Sequence, residues 1–217
     1  MSRPVKSRRY RLGQRQASAE QTRSRIIAAA RELLATPGDF SGFTLDAVAA
    51  GAGVARMTVF NQFGSKRGLL EALFDDLAAR GLVNRVQAVF LAADPREALD
   101  KLVAAFGGFW TSDRLVIRRI RALASMDPDF ESAVRARDER RREGIRTVLT
   151  RFPKKPRKAD LEEIVAILHT LTSFETFDNL AGKDRDPDEV VSVVCRLVWA
   201  AMESEDVLSC RSAPRRP

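Results

Sequence analysis

Residues 43–63 read Phe-Thr-Leu-Asp-Ala-Val-Ala-Ala-Gly-Ala-Gly-Val-Ala-Arg-Met-Thr-Val-Phe-Asn-Gln-Phe. The stretch parses as two short helices around a tight turn. Thr44 is the N-cap expected for the first, and Asp46 places a carboxylate in its first turn, where the helix dipole favours one. Leu45, Val48 and Ala49 recur at i, i+3, i+4, the spacing of a helical apolar face. Gly51 and Gly53 then interrupt the pattern, as a turn between helices requires. Val54 plugs the angle, and a second helix is expected from about Ala55 to Asn61. Its inner face is Val59 and Phe63; its outer face offers Arg56, Thr58, Asn61 and Gln62. This is a helix-turn-helix, whose second helix fits the major groove of DNA.

With the following Gly64-Ser65-Lys66-Arg67-Gly68-Leu69-Leu70, the stretch resembles the DNA-binding domain of the tetracycline-repressor (TetR) family. The family's pattern is met by Thr44, Leu45, Val48, Ala49, Ala52, Gly53, Val54, Thr58, Val59, Phe63, Ser65, Lys66, Leu69 and Leu70. The close resemblance covers about residues 20 to 75; beyond it, only helix number and order are similar. One departure is Phe60, where the family usually has a tyrosine whose hydroxyl touches phosphate. Asn61 also stands where an aromatic or histidine is common. Any operator sequence borrowed from a relative is therefore in doubt.

The rest of the composition is consistent with a DNA-binding regulator. A length of 217 residues can bury a sizeable core, and 45% hydrophobic residues exclude a disordered chain. No apolar run is long enough to span a bilayer, and the basic N-terminus lacks the apolar core of a secretory signal. A cytoplasmic location without membrane contact is expected. Two cysteines, Cys195 and Cys210, make neither a disulfide framework nor a metal cluster. The formal charge is +8. Arg3, Lys6, Arg8, Arg9, Arg11 and Arg15 precede the first acid, Glu20, and Arg211, Arg215 and Arg216 follow the last, Asp206, so the intervening body is close to neutral. A basic arm ahead of a reading helix can neutralise phosphates or enter the minor groove, in competition with a merely solvated end.

Four segments follow: a basic disordered arm at 1–17, the helix-turn-helix domain at 18–80, a helical regulatory and dimerisation domain at 81–210, and a basic tail at 211–217. The fold class is all-α, with about nine helices. Ser18 is the expected cap of the first helix, with Gln21 at capping-box distance. Ile26, Ala30 and Leu33 form its stripe, and Phe40 and Phe43 are expected beneath the helix-turn-helix. Ser65 caps the next helix, which is expected to run on through Val83, Val86 and Phe90 with Gly81 as its weak point. Asp94-Pro95, Asp127-Pro128, Asp160 and Asp186-Pro187 open later helices at about 95–110, 128–150, 160–181 and 187–208, with another at 113–125. The charge-rich 128–150 helix reads as a solvated face, with Glu131–Arg135 and Asp138–Arg142 in favourable i, i+4 order. Arg118, Arg119 and Arg121 are expected to reach Asp75 and Asp76 and link the domains. In the final helix, Val190, Val194, Leu197 and Ala201 make one apolar stripe and Val191, Val198 and Met202 a second, more than one seam needs. The resemblance implies a homodimer through the last two helices of each chain.

No phosphate loop, zinc spacing or nucleophile elbow is present, so neither enzymatic activity nor a cofactor is expected. His169, the single histidine, sits in an apolar helix, where a structural role competes with that of a polar handle. Phe106, Phe109, Trp110, Phe130, Phe174, Phe177 and Trp199 recur at helical spacing; such a set forms core, a ligand pocket, or both, and all but Trp199 are candidates, with His169, for a pocket. The expected activity is that of a dimeric repressor bound to palindromic operator DNA and released by a small apolar or amphipathic ligand. Arg56, Asn61 and Gln62 are the candidates for reading base edges. Thr44, Thr58 and Lys66 are the candidates for holding phosphates, and Phe60 for a thymine methyl or sugar. The rivals are an architectural protein of the same fold without an inducer, and a helical enzyme or carrier.

Overall fold

The computed structural model describes residues 8–38, 42–153 and 158–204, with side chains from residue 16 onward except 158 and 204. Eleven helices and no strand are found among these residues. In chain order they are α1 (Arg8–Ala35), α2 (Leu45–Ala52), α3 (Arg56–Phe63), α4 (Lys66–Gly81), α5 (Val83–Leu91), α6 (Pro95–Ser112), α7 (Arg114–Ala124), α8 (Pro128–Leu149), α9 (Lys158–Leu171), α10 (Phe174–Ala181) and α11 (Pro187–Ser204). The all-α class is as expected. The count rises from nine because two expected helices are broken. At Gly81-Leu82 the helix is distorted, with Leu82 at φ −119°, and α5 starts directly after it. At Thr172-Ser173 the Ser173 hydroxyl caps α10 by accepting from the Thr176 N–H at 3.2 Å, while the Thr172 carbonyl turns to accept from the Trp110 indole at 3.0 Å. A buried indole needs an acceptor, and the break supplies one.

The first helix is longer than expected. Residues 8–17 continue α1 instead of lying in a disordered arm, so Ser18 is inside the helix and its carbonyl accepts from the Thr22 hydroxyl. No proline falls between Arg8 and Ala35, and Leu12, Gln14, Arg15 and Ala17 are good helix formers. Asp160 likewise falls in the first turn of α9, not at its cap. The expectations for residues 1–7, Phe40, Cys210 and the basic tail lie outside the described residues.

The caps at Asp94, Asp127 and Asp186 form as read, each carboxylate accepting a backbone N–H two residues on, at 2.8–3.1 Å. Burial then assembles the parts. Ile26, Ala30 and Leu34 of α1, Val48 of α2, Val59 of α3, and Leu69 and Leu73 of α4 are essentially inaccessible and form the core of the reading head. The larger body wraps around α6, where an aromatic run packs in offset and edge-on geometry: Phe109–Trp110 at 4.7 Å, Trp110–Phe174 at 5.8 Å and Phe106–Trp110 at 6.0 Å between centroids. Gly107 lets two helices close onto α6, since a methyl there would stand 2.5 Å from Val191 and 2.8 Å from the Phe177 ring. The guanidinium of the exposed Arg85 lies over Gly108, a looser contact because the end of a flexible side chain can swing away.

The ties between head and body differ from those expected. Arg119 is buried, and donates to the carbonyls of Leu34 (2.9 Å), Thr36 (2.5 Å) and Gly38 (2.5 Å) at the C-terminal end of α1. Arg31 pairs with Asp113 at 2.6 Å. Asp75 is held by Arg137 and Asp76 by Arg80. Arg118 turns instead to Asp178, and Arg121 to Glu175 and Asp138. The exposed carbonyls at the end of α1 attract a cation more strongly than two carboxylates already paired within or beside α4. Among the described residues, no helix is long and apolar enough to cross a membrane.

Candidate functional site

The surface that presents α3 is set by three backbone devices. The Thr44 hydroxyl caps α2 by accepting from the Ala47 N–H at 3.1 Å. Gly53 ends α2 at φ 63°, ψ 41°, a left-handed geometry that a side chain disfavours. Ser65 starts α4 by accepting from the Gly68 N–H at 3.0 Å. Between them α3 inserts Val59 into the core, and Arg23 stacks over the Phe63 ring at 4.6 Å. The opposite face is open. Arg56, Phe60 and Asn61 are exposed, and Thr58 and Gln62 are half-buried. Lys66 lies at the first turn of α4, its ammonium 5.3 Å from the Phe43 ring. Arg56 reaches back toward Asp46 at 3.5 Å, with both side chains well exposed, so this pair is weak and yields to a better partner.

One member of this face was missed. Met57, 64% exposed, lies beside Phe60, 51% exposed, forming an apolar ridge flanked by Arg56 and Asn61. The i, i+3 spacing of Met57 and Phe60 puts both on one face of α3, although the sequence pattern singles out only Phe60 for it.

The second feature is a cavity of about 230 Å³ in the body. Phe74, Asp75 and Ala78 of α4 form one wall, and Leu82, Val86 and Phe90 around and on α5 another. Phe106, Phe109 and Trp110 of α6 close its floor. Arg137, Asp138, Arg140, Arg141 and Gly144 of α8 line the remaining side. Thus three of the seven expected pocket residues meet at the cavity. The other four do not reach it. Phe130 and Phe177 are core, Phe174 stands behind Trp110, and His169 stands behind Arg141. Phe130 lies on α8 away from its cavity-lining stretch, and α9 and α10 do not line the cavity, so helical spacing alone does not separate wall from filling.

The charged residues of α8 correct the reading of that helix as a solvated face. Glu131 and Arg135 pair as expected at 2.7 Å. Arg142 turns to Glu162 rather than to Asp138. Arg141 is buried, its side chain only 3% exposed. Its Nη1 donates to the His169 carbonyl at 2.5 Å and to the Thr172 hydroxyl at 2.9 Å, satisfying the end of α9. Its Nη2 lies 2.9 Å from His169 Nε2 and 3.5 Å from Asp138 Oδ1, while Nε has no acceptor. Burial pushes the Arg141 guanidinium below its ordinary value, against the opposing pull of Asp138. Burial, and then the nearby Arg141 charge, hold the His169 imidazole below its ordinary value. His169 Nε2 stands between the Arg141 Nη2 donor at 2.9 Å and the Asp138 carbonyl at 3.1 Å, accepting from the first in one neutral tautomer and donating to the second in the other. Nothing in the charge pattern of the sequence distinguished Arg141 from its neighbours Arg140 and Arg142; only its register, facing α6 and α9, does so.

Residues 26–73 match the family described as bacterial regulatory proteins, tetR family. The chain is 35% identical over 127 residues to the HTH-type transcriptional regulator AlkX of Mycobacterium tuberculosis, covering 57% of each chain. It is 31% identical over 117 residues to the HTH-type transcriptional regulator EthR of Mycolicibacterium smegmatis, covering 52% of each. The matched stretches thus span little more than half the length of these relatives. The fold is similar to that of a solved transcriptional regulator from Rhodococcus sp. RHA1, with a TM-score of 0.68 at 19% identity, over 84% of this chain and 96% of that one.

Proposed function

We propose that this chain, whose residues 26–73 match the tetR family of bacterial regulatory proteins, is a DNA-binding transcriptional regulator that represses transcription as a dimer on palindromic DNA and leaves it when a small ligand fills the α4–α8 cavity. In this reading Arg56, Asn61 and Gln62 address base edges, Thr44, Thr58 and Lys66 hold phosphates, and Phe60 with Met57 supplies apolar contact to thymine methyls. A second copy docks on α9 and α11. There Val190, Val194 and Met202 face the chain's own core, while Leu197 stays 42% exposed on the outer side. Two-fold symmetry would set two α3 helices about 34–36 Å apart, one turn of DNA.

The observation that carries the release step is the shared helix. Phe74, Asp75 and Ala78 border the cavity, while Leu69, Leu70 and Leu73 of the same α4 are packed into the reading head. A ligand that enlarges the cavity presses on α4, and through it on α3. Release requires only that ligand bind the displaced arrangement better than the DNA-bound one. The cavity beside Trp110 also weighs against a protein of this fold without an inducer, for which a filled core is expected there.

The test is gel-shift binding to the chain's own upstream DNA and to random DNA across salt, for the natural protein and for Ala78→Leu. Specific complexes should outlast random ones as salt rises. Filling the cavity should weaken specific binding about tenfold or more while the protein stays folded and dimeric. Unchanged operator affinity in a folded, cavity-filled variant would refute release through α4.

A further inference from the structure

We propose that the cavity selects a medium-chain amphiphile with a planar carboxylate head, seated on the Nε–Nη2 edge of Arg141, and that Arg140 guards its entrance. The inference rests on the ligand-released reading above and deepens it by naming the ligand's chemistry. Its origin is an imbalance among the groups that line the cavity. An arginine side chain presents two parallel N–H donors along its Nε–Nη2 edge, the geometry that a carboxylate matches with both oxygens. In Arg141 that edge is underused. Nε has no acceptor although the side chain is almost wholly buried, and Nη2 has a neutral imidazole nitrogen and a carboxylate oxygen at the long distance of 3.5 Å. That carboxylate, Asp138, is shared with Arg121 at 3.2 Å. A buried donor without an acceptor is expensive, and a buried cation without a close anion more so.

The neighbouring charges point the same way. Asp75 is held by Arg137 at 2.7 Å, which leaves it no demand for a cationic ligand. Arg140 is exposed at the cavity's edge, and no ion pair to it is found among the described residues. The lining therefore holds Arg137, Arg140 and Arg141 against Asp75 and Asp138, an excess of positive charge. The remainder of the wall is hydrocarbon and aromatic, from Phe74 and Ala78 across to Val86, Leu102 and Phe106. An anion without a tail would leave this wall empty, and a tail without an anion would leave Nε unsatisfied. Size limits the tail. At roughly 30 Å³ for each water-sized group, about eight such groups fill 230 Å³, so octanoate is a fitting probe.

The experiment compares octanoate, 1-octanol and octyltrimethylammonium, by titration calorimetry and by their effect on the gel shift. Natural protein should bind octanoate at least tenfold more tightly than octanol, and octyltrimethylammonium least. Arg140→Ala, at an exposed position, should keep the fold and reduce the octanoate preference several-fold. Arg141→Met should abolish the preference while retaining octanol binding. Should Arg141→Met fail to fold, Arg140→Ala and the three-probe ranking decide alone. Equal or tighter binding of octanol or the ammonium compound, or no binding of any probe, overturns the carboxylate assignment. The ligand-release reading fails separately, if octanoate binds with the stated preference yet leaves the specific DNA complex intact.

Discussion

Replacing Gly68 by alanine tests the joint between α3 and α4. Gly68 lies in the first turn of α4, where alanine ordinarily improves a helix by about 1 kcal/mol. Here the added methyl would stand well under 3.0 Å from the carbonyl oxygen of Phe63, the last residue of α3, and 3.3 Å from its carbonyl carbon. Carbon–oxygen contacts settle near 3.3–3.6 Å, so the start of α4 must retreat by the order of 1 Å. The obstacle is backbone and cannot rotate away. Overpacking of this kind destabilises by about 1–3 kcal/mol, which cancels or exceeds the gain in propensity and leaves a net loss of up to about 2 kcal/mol. The shift also tilts α3, and loss of one good base contact amounts to about 1–3 kcal/mol, or five- to a hundredfold in specific affinity. Gly51→Ala is the control, since its methyl would meet only Ala29 Cβ at 3.4 Å; it should be neutral or stabilising. Urea unfolding and fluorescence anisotropy on specific and random DNA measure both effects. If Gly68→Ala proves as stable as Gly51→Ala and binds operator normally, the close α3–α4 contact is wrong.

Other consequences follow from the same geometry. Arg119→Met removes three charge-assisted bonds to the end of α1, and should lower unfolding stability by about 2–3 kcal/mol in a urea titration. Arg56→Ala should flatten the preference for operator over random DNA, whereas Lys66→Ala should weaken both alike and reduce the salt slope by about one; equal loss of specificity in both would overturn that division of roles. Leu197→Arg should shift the sedimentation equilibrium toward monomer and weaken operator binding with it, and an undiminished dimer would move the interface elsewhere. Because His169 is held below its ordinary value in the folded protein, the unfolded chain binds the extra proton first, so its contribution to stability is intact at neutral pH and falls as pH drops below about 6.5. His169→Gln should remove that part of the acid loss, read as a flatter Tm between pH 7 and 5.

Much of this architecture was legible because local chemistry sufficed. Thr44, Gly53 and Ser65 act through backbone within three residues, and the aspartate caps likewise. The two breaks were harder, since they depend on distant partners: Trp110 takes the Thr172 carbonyl, and Phe109 packs against Gly81. The cavity was half visible. Phe106, Phe109 and Trp110 announced an aromatic surface, but Arg141 looked like one more arginine in a charged helix. Its importance comes from register against α6 and α9, which no spacing within α8 reveals. The ties made by Arg119 escape the sequence for a related reason, since carbonyls at a helix end leave no trace in the residue letters.

The paired glycines of α6 bear on where such a protein can deform. Gly107 has Val191 and Phe177 lodged against it, and Gly108 lies beneath Arg85, so this length of helix is clasped by α10, α11 and α5 at once. On its glycine face the spine has no free volume into which to yield, while its other face, through Phe106, Phe109 and Trp110, borders the cavity. Strain introduced by a guest must travel outward, through the interrupted strut of α4 and α5, whose discontinuity at Leu82 borders the void. Stiff centre and compliant flank are thus written into one molecule: the glycines, by permitting contact, remove motion from the middle and leave it to the arm that carries the reading head.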